Sequence, residues 1–397
     1  MPATLESLKF TRKVRAPAAD VFHAFTSPGA LREWLCDIAD ADAHPGGRLY
    51  MWWNGGYYTS GEFTQVLPDR RLAFTWHGRA EPGDTQVRVT LKEQAGVTAV
   101  TLVHSGLGRG KKWAPVRVEY SEGWNTGLEN LQSVLETGDD LRLSRRPLLG
   151  IAMSPLDIPT ATQLGVPVPA GAHLDAVVEG LGAHAAGLRM DDVIVTLDGK
   201  KVHNFATLAS ALRNRRAGDK VRVGFYRGAE RKTVTMELSP RPRLHVPPTA
   251  GELAEALRRQ YVELDAELSQ SLAGLLEDAA GERPTIDGWS VKETVAHLIA
   301  VERDTQAWIA ELLLDAEPLD PFPGNTRQRL EATVSAYPTL PDLLAELRRA
   351  EDETVALLAA LPPEFVARKG SYMRLGNFLL EMPEHTRLHI QALRAEG

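Results

Sequence analysis

Hydrophobic and polar positions follow different patterns in different parts of the chain, and each pattern predicts its own elements. Up to about residue 137, short stretches rich in aromatic and β-branched residues, such as YMWW, FTQVL and VTLVH, are separated by Gly and Pro turns. They predict an antiparallel meander. A helical stretch, PAADVFHAFTSPGALREWL, precedes them, and a long helix around 117–136 follows, with apolar residues every three or four positions. One helix packed on a curved sheet is the predicted shape.

The last third of the chain has a purely helical pattern. Apolar residues recur at three- and four-residue spacing in GELAEALRRQYVELDAELSQSLAGLLED, SVKETVAHLIAVERDTQAWIAELLLD, TLPDLLAELRRAEDETVALLAAL and the closing LEMPEHTRLHIQALRAEG. Four amphipathic helices predict an up-down bundle. Ser290 and Glu293, three residues apart, predict a capping box at the start of the second of these helices.

Two interruptions divide the chain into three domains. A helical pattern ends in the polar run GDDLRLSRRP at 138–147, and SPRPRLHVPPT at 239–249 is too rich in proline for a helix or a central strand. The middle segment is rich in strands. The predicted fold is therefore multidomain α+β, with domains at 1–143, 147–241 and 249–397.

Composition narrows the classes of partner. The chain has 397 residues and a formal net charge of −7, and its short basic clusters are scattered, which argues against a nucleic-acid partner. The single cysteine, Cys36, excludes an internal disulfide framework and is predicted to be a buried packing residue. The start, MPATLESLKFTRKV, lacks the apolar region of a signal peptide, and no run has the length of a membrane span. We therefore expect a cytoplasmic protein without a membrane partner.

The first segment contains, in order, APAADVFHAFTSPGALREW, PGGRLYMWW, GEFTQVLPDRRLAFTW, TAVTLVHSG and EGWNTGLENLQSVLE. Over about residues 8–137 this order resembles the START-like (SRPBCC) superfamily, in the branch of the activator homologues of the heat-shock-protein-90 ATPase. The resemblance implies a helix-grip fold that binds a chaperone or holds a hydrophobic small molecule between the long helix and the sheet. The aromatic candidates for a ligand cavity are Trp34, Trp52, Trp53, Phe63, Trp76 and Trp124. His77 and His104 are candidate polar groups there; alternatively, the aromatic residues simply fill the core.

The middle segment carries RPLLGIAM, then AAGLRMDDVIVTLDGKKV and the helix NFATLASALRN, in register. Over about residues 147–239 it resembles a PDZ domain of the bacterial protease-associated type, a β-barrel-like fold. The resemblance implies that a loop of Leu149, Gly150 and Ile151 binds the carboxylate of a protein C-terminus, that the next strand accepts the peptide, and that Leu208 and Leu212 line the pocket. No serine-nucleophile motif occurs in the chain, so an adaptor is predicted rather than a protease regulator. A PDZ fold kept as a spacer is the alternative.

Chemistry-bearing residues concentrate in the helical segment. On a helical wheel, Glu302 falls in the middle of an apolar stripe, so its carboxylate needs a partner across the bundle, and His297 falls at the edge of that stripe. His385 and His389 project from one helix face, because four residues are about one turn. Pro383 either begins this last helix or kinks it.

The run GWSVKETVAHLIAVERD, followed after a third helix by LGNFLLEMPEHTRLHIQAL, resembles the DinB-like four-helix superfamily over about residues 250–394. The resemblance implies a divalent metal bound by one histidine of the second helix and two of the last, here His297, His385 and His389. Three imidazoles suit zinc with one open position, and nickel or iron would accept the same set. Glu302 is a candidate to orient a ligand from outside the first coordination shell. The alternative is a metal-free bundle whose histidines hydrogen-bond in its core.

Two classes of function follow. In the first, the chain is a cytoplasmic binding and adaptor protein that combines a hydrophobic ligand or a chaperone, a protein C-terminus and a metal. In the second, it is an enzyme, a metal-dependent thiol transferase or isomerase that activates a low-molecular-weight thiol in the bundle. The first is favoured for the whole chain, because only the bundle carries a chemical constellation and no acid/base partner for it is identifiable.

Overall fold

A computed structural model describes residues 5–79, 81–212, 215–241, 244–284, 288–316 and 326–396. The chain forms two compact units. Met1–Asp140 and Leu244–Gly397 together make the first, and Leu141–Arg243 make the second. None of the described helices is both long enough and apolar enough to cross a membrane.

The first segment is a seven-stranded antiparallel sheet held by one long helix. Its elements are β1 (Glu6–Val14), α1 (Ala18–Thr26), α2 (Pro28–Trp34), β2 (Ile38–Ala41), β3 (Arg48–Trp53), β4 (Tyr57–Leu67), β5 (Arg71–Gly78), β6 (Thr85–Gln94), β7 (Val97–Leu107) and α3 (Trp113–Thr137). The strand order is β1-β7-β6-β5-β4-β3-β2, so the meander of β2 to β7 is extended by β1 at one end. The core lies between this sheet and α3 and contains the fully buried Cys36, as predicted.

The helical stretch that precedes the meander is two helices rather than one. Ser27 ends α1 and caps α2, where its hydroxyl accepts a hydrogen bond from the N–H of Ala30 at 3.2 Å. Pro28 occupies the first position of α2, where its missing N–H costs nothing. A serine followed by proline is therefore a helix start inside a continuous apolar pattern.

The second unit is a small sheet with short helices. Its elements are α4 (Leu141–Ser144), β8 (Ile151–Pro155), α5 (Ile158–Leu164), β9 (Ala172–Val177), α6 (Gly182–Ala185), β10 (Val193–Leu197), β11 (Lys200–Lys201), α7 (Phe205–Leu212), β12 (Lys220–Arg227) and β13 (Glu230–Glu237). The order β13-β12-β10-β9-β8 places β8 at one edge of the described sheet. The core of the unit includes Leu208 and residues of β9, β10 and β12.

The last segment is a bundle of four long helices with short helices at its ends. Its elements are α8 (Ala250–Ser271), α9 (Glu277–Gly281), α10 (Val291–Leu313), α11 (Arg327–Ala336), α12 (Leu340–Ala359), α13 (Pro363–Ala367) and α14 (Lys369–Glu396). Helix α10 packs on α12, α12 on α8, α8 on α14, and α14 on α10, which closes a ring of four. Pro383 lies inside α14, so the last helix does not begin there. The capping box predicted at Ser290 is present.

The first and last segments pack against each other within the first unit. The N-terminal end of α14 contacts α2 and α3, where Lys369 Nζ donates to the carbonyl of Glu136 at 2.6 Å and Ser371 Oγ donates to Glu33 at 2.7 Å. Ser27 Oγ donates to Asp315 at 2.8 Å beyond the end of α10. The long helix of the sheet domain and the last helix of the bundle are thus in direct contact.

Candidate metal centre and binding surfaces

Three imidazoles converge in the bundle at the junction of α10 and α14. His297 Nε2 lies 3.4 Å from His385 Nε2, and His389 Nε2 lies 3.2 Å from the same atom. One ring nitrogen of each of the three lies within 4.8 Å of the others. Bonds of 2.0–2.1 Å at tetrahedral angles separate two ligand nitrogens by about 3.3 Å. The two short separations therefore match the edges of a tetrahedral coordination sphere, so this donor set fits a divalent metal.

Burial favours the neutral form of His385 and His389, which is the form that binds metal. Burial, with smaller contributions from His297 and His385, lowers the pKa of His389 to about 4. Burial also lowers the pKa of His385 below its usual value, although its side chain is the most exposed of the three. Protons would compete with a metal only at a more acidic pH than for an exposed histidine.

The start of α10 is fixed by a charged clamp next to the histidines. Glu293 accepts from the N–H of Ser290 at 2.8 Å and from Arg283 Nε at 2.8 Å. Arg283 also donates to Glu331 on α11 at 3.1 Å, and its guanidinium lowers the pKa of Glu293 to about 2. His297 follows Glu293 by one helical turn, so the clamp sets its position along α10.

An aromatic residue that the sequence did not single out as functional lies against this cluster. Trp289, immediately before the cap of α10, has its ring centroid 5.1 Å from that of His297 and 6.2 Å from that of His389. The interplanar angle with His389 is 16°, so the two rings are stacked. The motif GWSVKETVAH contains this tryptophan. Helical periodicity, however, predicts no position for a residue that lies outside the helix.

Glu302 finds its partners on the far side of the bundle. Tyr261 on α8 donates to both carboxylate oxygens at 2.9 and 3.0 Å, and Thr354 on α12 donates at 2.7 Å. The predicted partner across the bundle is therefore present. These hydrogen bonds join the carboxylate to α8 and α12, whereas His385 and His389 lie on α14. A role of Glu302 in orienting a metal ligand stays a prediction.

The loop before β8 turns through a glycine in the left-handed backbone region. Gly150 has a φ of +79°, and a Cβ at this position would meet the side chain of Leu181 at 2.4 Å, so only glycine fits. The carbonyls of Leu149 and Gly150 accept hydrogen bonds from Ala183 and Val178, both at 2.9 Å. The loop is thereby bonded into the domain, next to the edge strand β8.

The predicted pocket residues of this domain divide into core and surface. Leu149 and Leu208 are buried core residues, 8% and 3% exposed. Ile151 on β8 and Leu212 on α7 are only partly buried and pack at the margin of that core. Ile151, Met153 and Leu212 are thus partly exposed beside this core, whereas Leu149 and Leu208 belong to it.

The aromatic candidates for a ligand cavity are largely core residues. Trp34, Phe63, Trp76 and Trp124 are at most 5% exposed, and Trp52 and Trp53 are half-buried. The Trp76 ring on β5 lies 5.5 Å from that of Trp124 on α3, so helix and sheet touch directly at this level. These ring contacts are those expected of a packed core, and the ligand cavity stays a prediction.

The two candidate histidines of this domain lie in different environments, one in the core and one at the surface. His104 is fully buried; Trp124 Nε1 donates to its Nδ1 at 3.0 Å, and its Nε2 lies 2.7 Å from Thr85 Oγ1. Because an indole can only donate, Nδ1 carries no proton and the neutral ring donates through Nε2. Burial lowers the pKa of His104 to about 3, so it is a satisfied core histidine. His77 is at the surface and pairs with Asp84 at 2.6 Å.

Three family models match the chain in succession. They are the Activator of Hsp90 ATPase homolog 1-like protein at residues 15–136, the PDZ domain at 147–238 and the DinB superfamily at 260–393. The chain is therefore a fusion of these three domains, in the order predicted from the sequence. The predicted α+β fold, with a helix-grip sheet domain, a second sheet and a helical bundle, is confirmed.

Curated relatives are bacterial proteases that share part of the chain. The periplasmic pH-dependent serine endoprotease DegQ of Escherichia coli is 28% identical over 177 residues, which are 44% of this chain and 38% of that protein. The magnetosome formation protease MamE of Magnetospirillum gryphiswaldense is 32% identical over 97 residues, 24% of this chain and 13% of that protein. The chain thus spans well under half the length of these relatives.

Solved structures resemble about a third of the chain. A Mesorhizobium loti protein is 22% identical, covers 33% of this chain and 96% of its own, and has a TM-score of 0.30. A Plasmodium falciparum protein described as an HSP90 activator is 24% identical, covers 32% of this chain and 95% of its own, and has a TM-score of 0.29. The family model that matches residues 15–136 identifies the domain.

Proposed function

We propose that this chain is a binding and adaptor protein whose DinB-like bundle holds one divalent metal ion. The observation that carries the proposal is the convergence of His297, His385 and His389, with Nε2 separations of 3.2 and 3.4 Å. Zinc is the preferred ion, and nickel or iron would fit the same nitrogens. Metal content of the purified chain, compared with that of single histidine-to-alanine variants, tests the proposal.

The residues of the bundle would hold the ion and leave one side of it open. His297 is the most buried of the three ligands, and His385 is the most exposed. A bound ion would supply a Lewis-acidic position that a further ligand could occupy. Neutral imidazoles keep the nitrogen lone pairs available, and the clamp of Arg283 and Glu293 holds the start of α10 in place.

The PDZ domain would bind protein C-termini that end in an apolar residue. Support comes from β8 at the edge of the described sheet and from the groove side chains Ile151, Met153 and Leu212. A peptide could add to β8 as a further strand, with its carboxylate at the loop of Leu149 and Gly150. An excess of Lys and Arg over Asp and Glu between residues 141 and 243 favours an anionic chain end.

The first domain would bind a chaperone rather than a hydrophobic small molecule. The similarity to Hsp90 ATPase activators supports a chaperone as partner, and the direct contact between the Trp76 and Trp124 rings disfavours an enclosed ligand at this level. The proposal sets the protein in the cytoplasm, where a lone buried thiol such as Cys36 stays reduced. Co-purification with the chaperone, lost when this domain is deleted, would support this part.

A metal-dependent thiol transferase or isomerase is the second candidate. It is favoured by one observation, the exposure of His385 beside a three-histidine set that leaves a coordination position open. The discriminating experiment incubates the metal-loaded chain with a low-molecular-weight thiol and an electrophile and follows thiol consumption. Turnover that is lost in His385→Ala would favour the enzyme, whereas metal binding without turnover would favour the adaptor.

A further inference from the structure

We propose that Trp289 is a positioning residue that holds two of the three metal-binding imidazoles in place. The inference rests on the proposed metal site and adds a residue that is not a ligand. The indole contacts the His297 ring on α10 at a centroid distance of 5.1 Å and the His389 ring on α14 at 6.2 Å. One side chain therefore spans both helices that supply ligands.

The position of Trp289 is itself set by the contacts at the start of α10. It precedes Ser290, the N-cap of α10, whose hydroxyl accepts from the N–H of Glu293 at 3.2 Å. Glu293 accepts in return from the N–H of Ser290 and forms a two-pronged ion pair with Arg283. The ion pair joins Arg283 to the first turn of α10. The capping box at Ser290 fixes the start of the helix directly after Trp289.

The contacts of Trp289 affect the orientation of the imidazole rings, on which metal binding depends. An imidazole coordinates only when its ring plane directs a nitrogen lone pair at the ion, and a ring on a lone helix face can turn about its terminal side-chain bond. His297 and His389 lie 4.7 Å apart between ring centroids, and the indole packs on both. Trp289 thus limits the rotation of the two more buried rings, while the exposed His385 completes the set. In the GWSVKETVAH motif, the tryptophan thus has a role in addition to the roles of the N-cap serine and the histidine.

The experiment compares Zn²⁺ and Co²⁺ binding by the full chain and by Trp289→Leu and Trp289→Phe. Titration calorimetry gives the affinity, and the visible spectrum of bound Co²⁺ reports the ligand geometry. Trp289→Leu is expected to weaken binding about 10- to 100-fold, the range for groups that orient metal ligands, and to alter the Co²⁺ spectrum. Trp289→Phe keeps an aromatic face and is expected to restore most of the affinity. Quenching of tryptophan fluorescence by Co²⁺ should fall in both variants but persist in Trp308→Phe, the control that removes an indole within α10.

The result for Trp289→Leu decides whether Trp289 is a positioning residue. If Trp289→Leu binds both ions with the wild-type affinity and the wild-type Co²⁺ spectrum, Trp289 is not a positioning residue. If Trp289→Leu does not fold, Trp289→Met, which keeps more of the apolar side chain but has no flat ring, takes its place. Weaker binding of Zn²⁺ by Trp289→Met supports the inference, and wild-type affinity overturns it. If the wild-type chain binds no metal, the proposed site itself is wrong and this inference falls with it.

Discussion

Glu302 places an ionisable group in the apolar interior of the helical bundle. Burial raises its pKa to about 7, against the hydrogen bonds from Tyr261 and Thr354, which favour the charged form. Burial, and then the charge of Glu302, raises the pKa of the neighbouring Glu351 to about 9, with a small opposing effect of Arg348. Both carboxyl groups therefore hold protons more tightly in the folded bundle than in the unfolded chain.

The free energy of unfolding of the bundle is accordingly expected to fall as the pH rises from about 5 to 9. Over this interval the unfolded carboxylates have released protons that the folded ones retain, so the folded state binds more protons and loses stability with pH. Glu302→Gln keeps the hydrogen-bond acceptor without the charge and should remove roughly 1–3 kcal/mol of that fall. Urea unfolding at several pH values measures it.

The control for this prediction is Glu263→Gln, a substitution of an exposed carboxylate on α8. It should leave the pH dependence as it is in the wild type. A wild-type bundle whose stability is flat between pH 5 and 9, or a Glu302→Gln variant with the wild-type slope, would show that Glu302 stays charged in the core.

At the scale of elements, substitutions before β8 and on α7 should separate an effect on folding from an effect on peptide binding. Leu212→Glu, at the half-buried margin of the groove, should weaken binding of a peptide with an apolar C-terminus about tenfold or more and leave the fold intact. Leu149→Glu should instead lower the melting temperature, because it buries a charge in the core. Fluorescence anisotropy with a labelled peptide and thermal unfolding separate the two effects.

Ser210→Glu, at an exposed position of α7, is the matched control and should change neither binding nor melting. Equal affinity of Leu212→Glu and the wild-type chain would place the peptide elsewhere. A Leu149→Glu variant that melts with the wild type would contradict the assignment of the Leu149 side chain to the core.

Local chemistry made several elements predictable, and long-range packing made others unpredictable. The capping box of Ser290 and Glu293 could be predicted because its partners are three residues apart. The break at Ser27 and Pro28 lay inside an apolar pattern that continues through both helices, and periodicity alone does not register a cap. Helix α14 continues through Pro383, because tertiary packing overrides the local tendency of proline to end a helix.

The candidate site was predictable only through the family resemblance. Spacing places His385 and His389 on one face, but nothing local joins them to His297, which is 88 residues before His385. That junction depends on α10 packing against α14. Trp289 could not be identified as part of the site, since it lies outside the helix and contacts residues of two helices.

At the scale of the whole molecule, the sheet domain and the bundle share an interface although the PDZ segment separates them in sequence. A Cβ at Gly370 on α14 would meet Glu33 Oε2 on α2 at 2.2 Å and Val134 Cγ1 on α3 at 2.7 Å. Gly370→Val should therefore force the two domains apart and destabilise the unit by roughly 1–3 kcal/mol. Differential scanning calorimetry should show a lower or split transition.

Gly251→Val is the matched control, because Gly251 also lies in a helix and has no atom near its Cβ position among the described residues. It should cost only the small helix-propensity difference between the two residues. If Gly370→Val melts like the control, the interface does not couple the two domains, and they behave as independent modules.

The central claim is a metal centre in the bundle, and elemental analysis of the purified full chain at neutral pH tests it most directly. Close to one divalent metal per chain is expected, with zinc favoured, because three Nε2 atoms converge at the spacing of a tetrahedral site. His297→Ala, His385→Ala and His389→Ala should each lose most of the metal, whereas His184→Ala and His245→Ala, outside the bundle, should retain it. Absence of metal from the wild-type chain, even after incubation with Zn²⁺, or full metal content in all three bundle variants, would contradict the account.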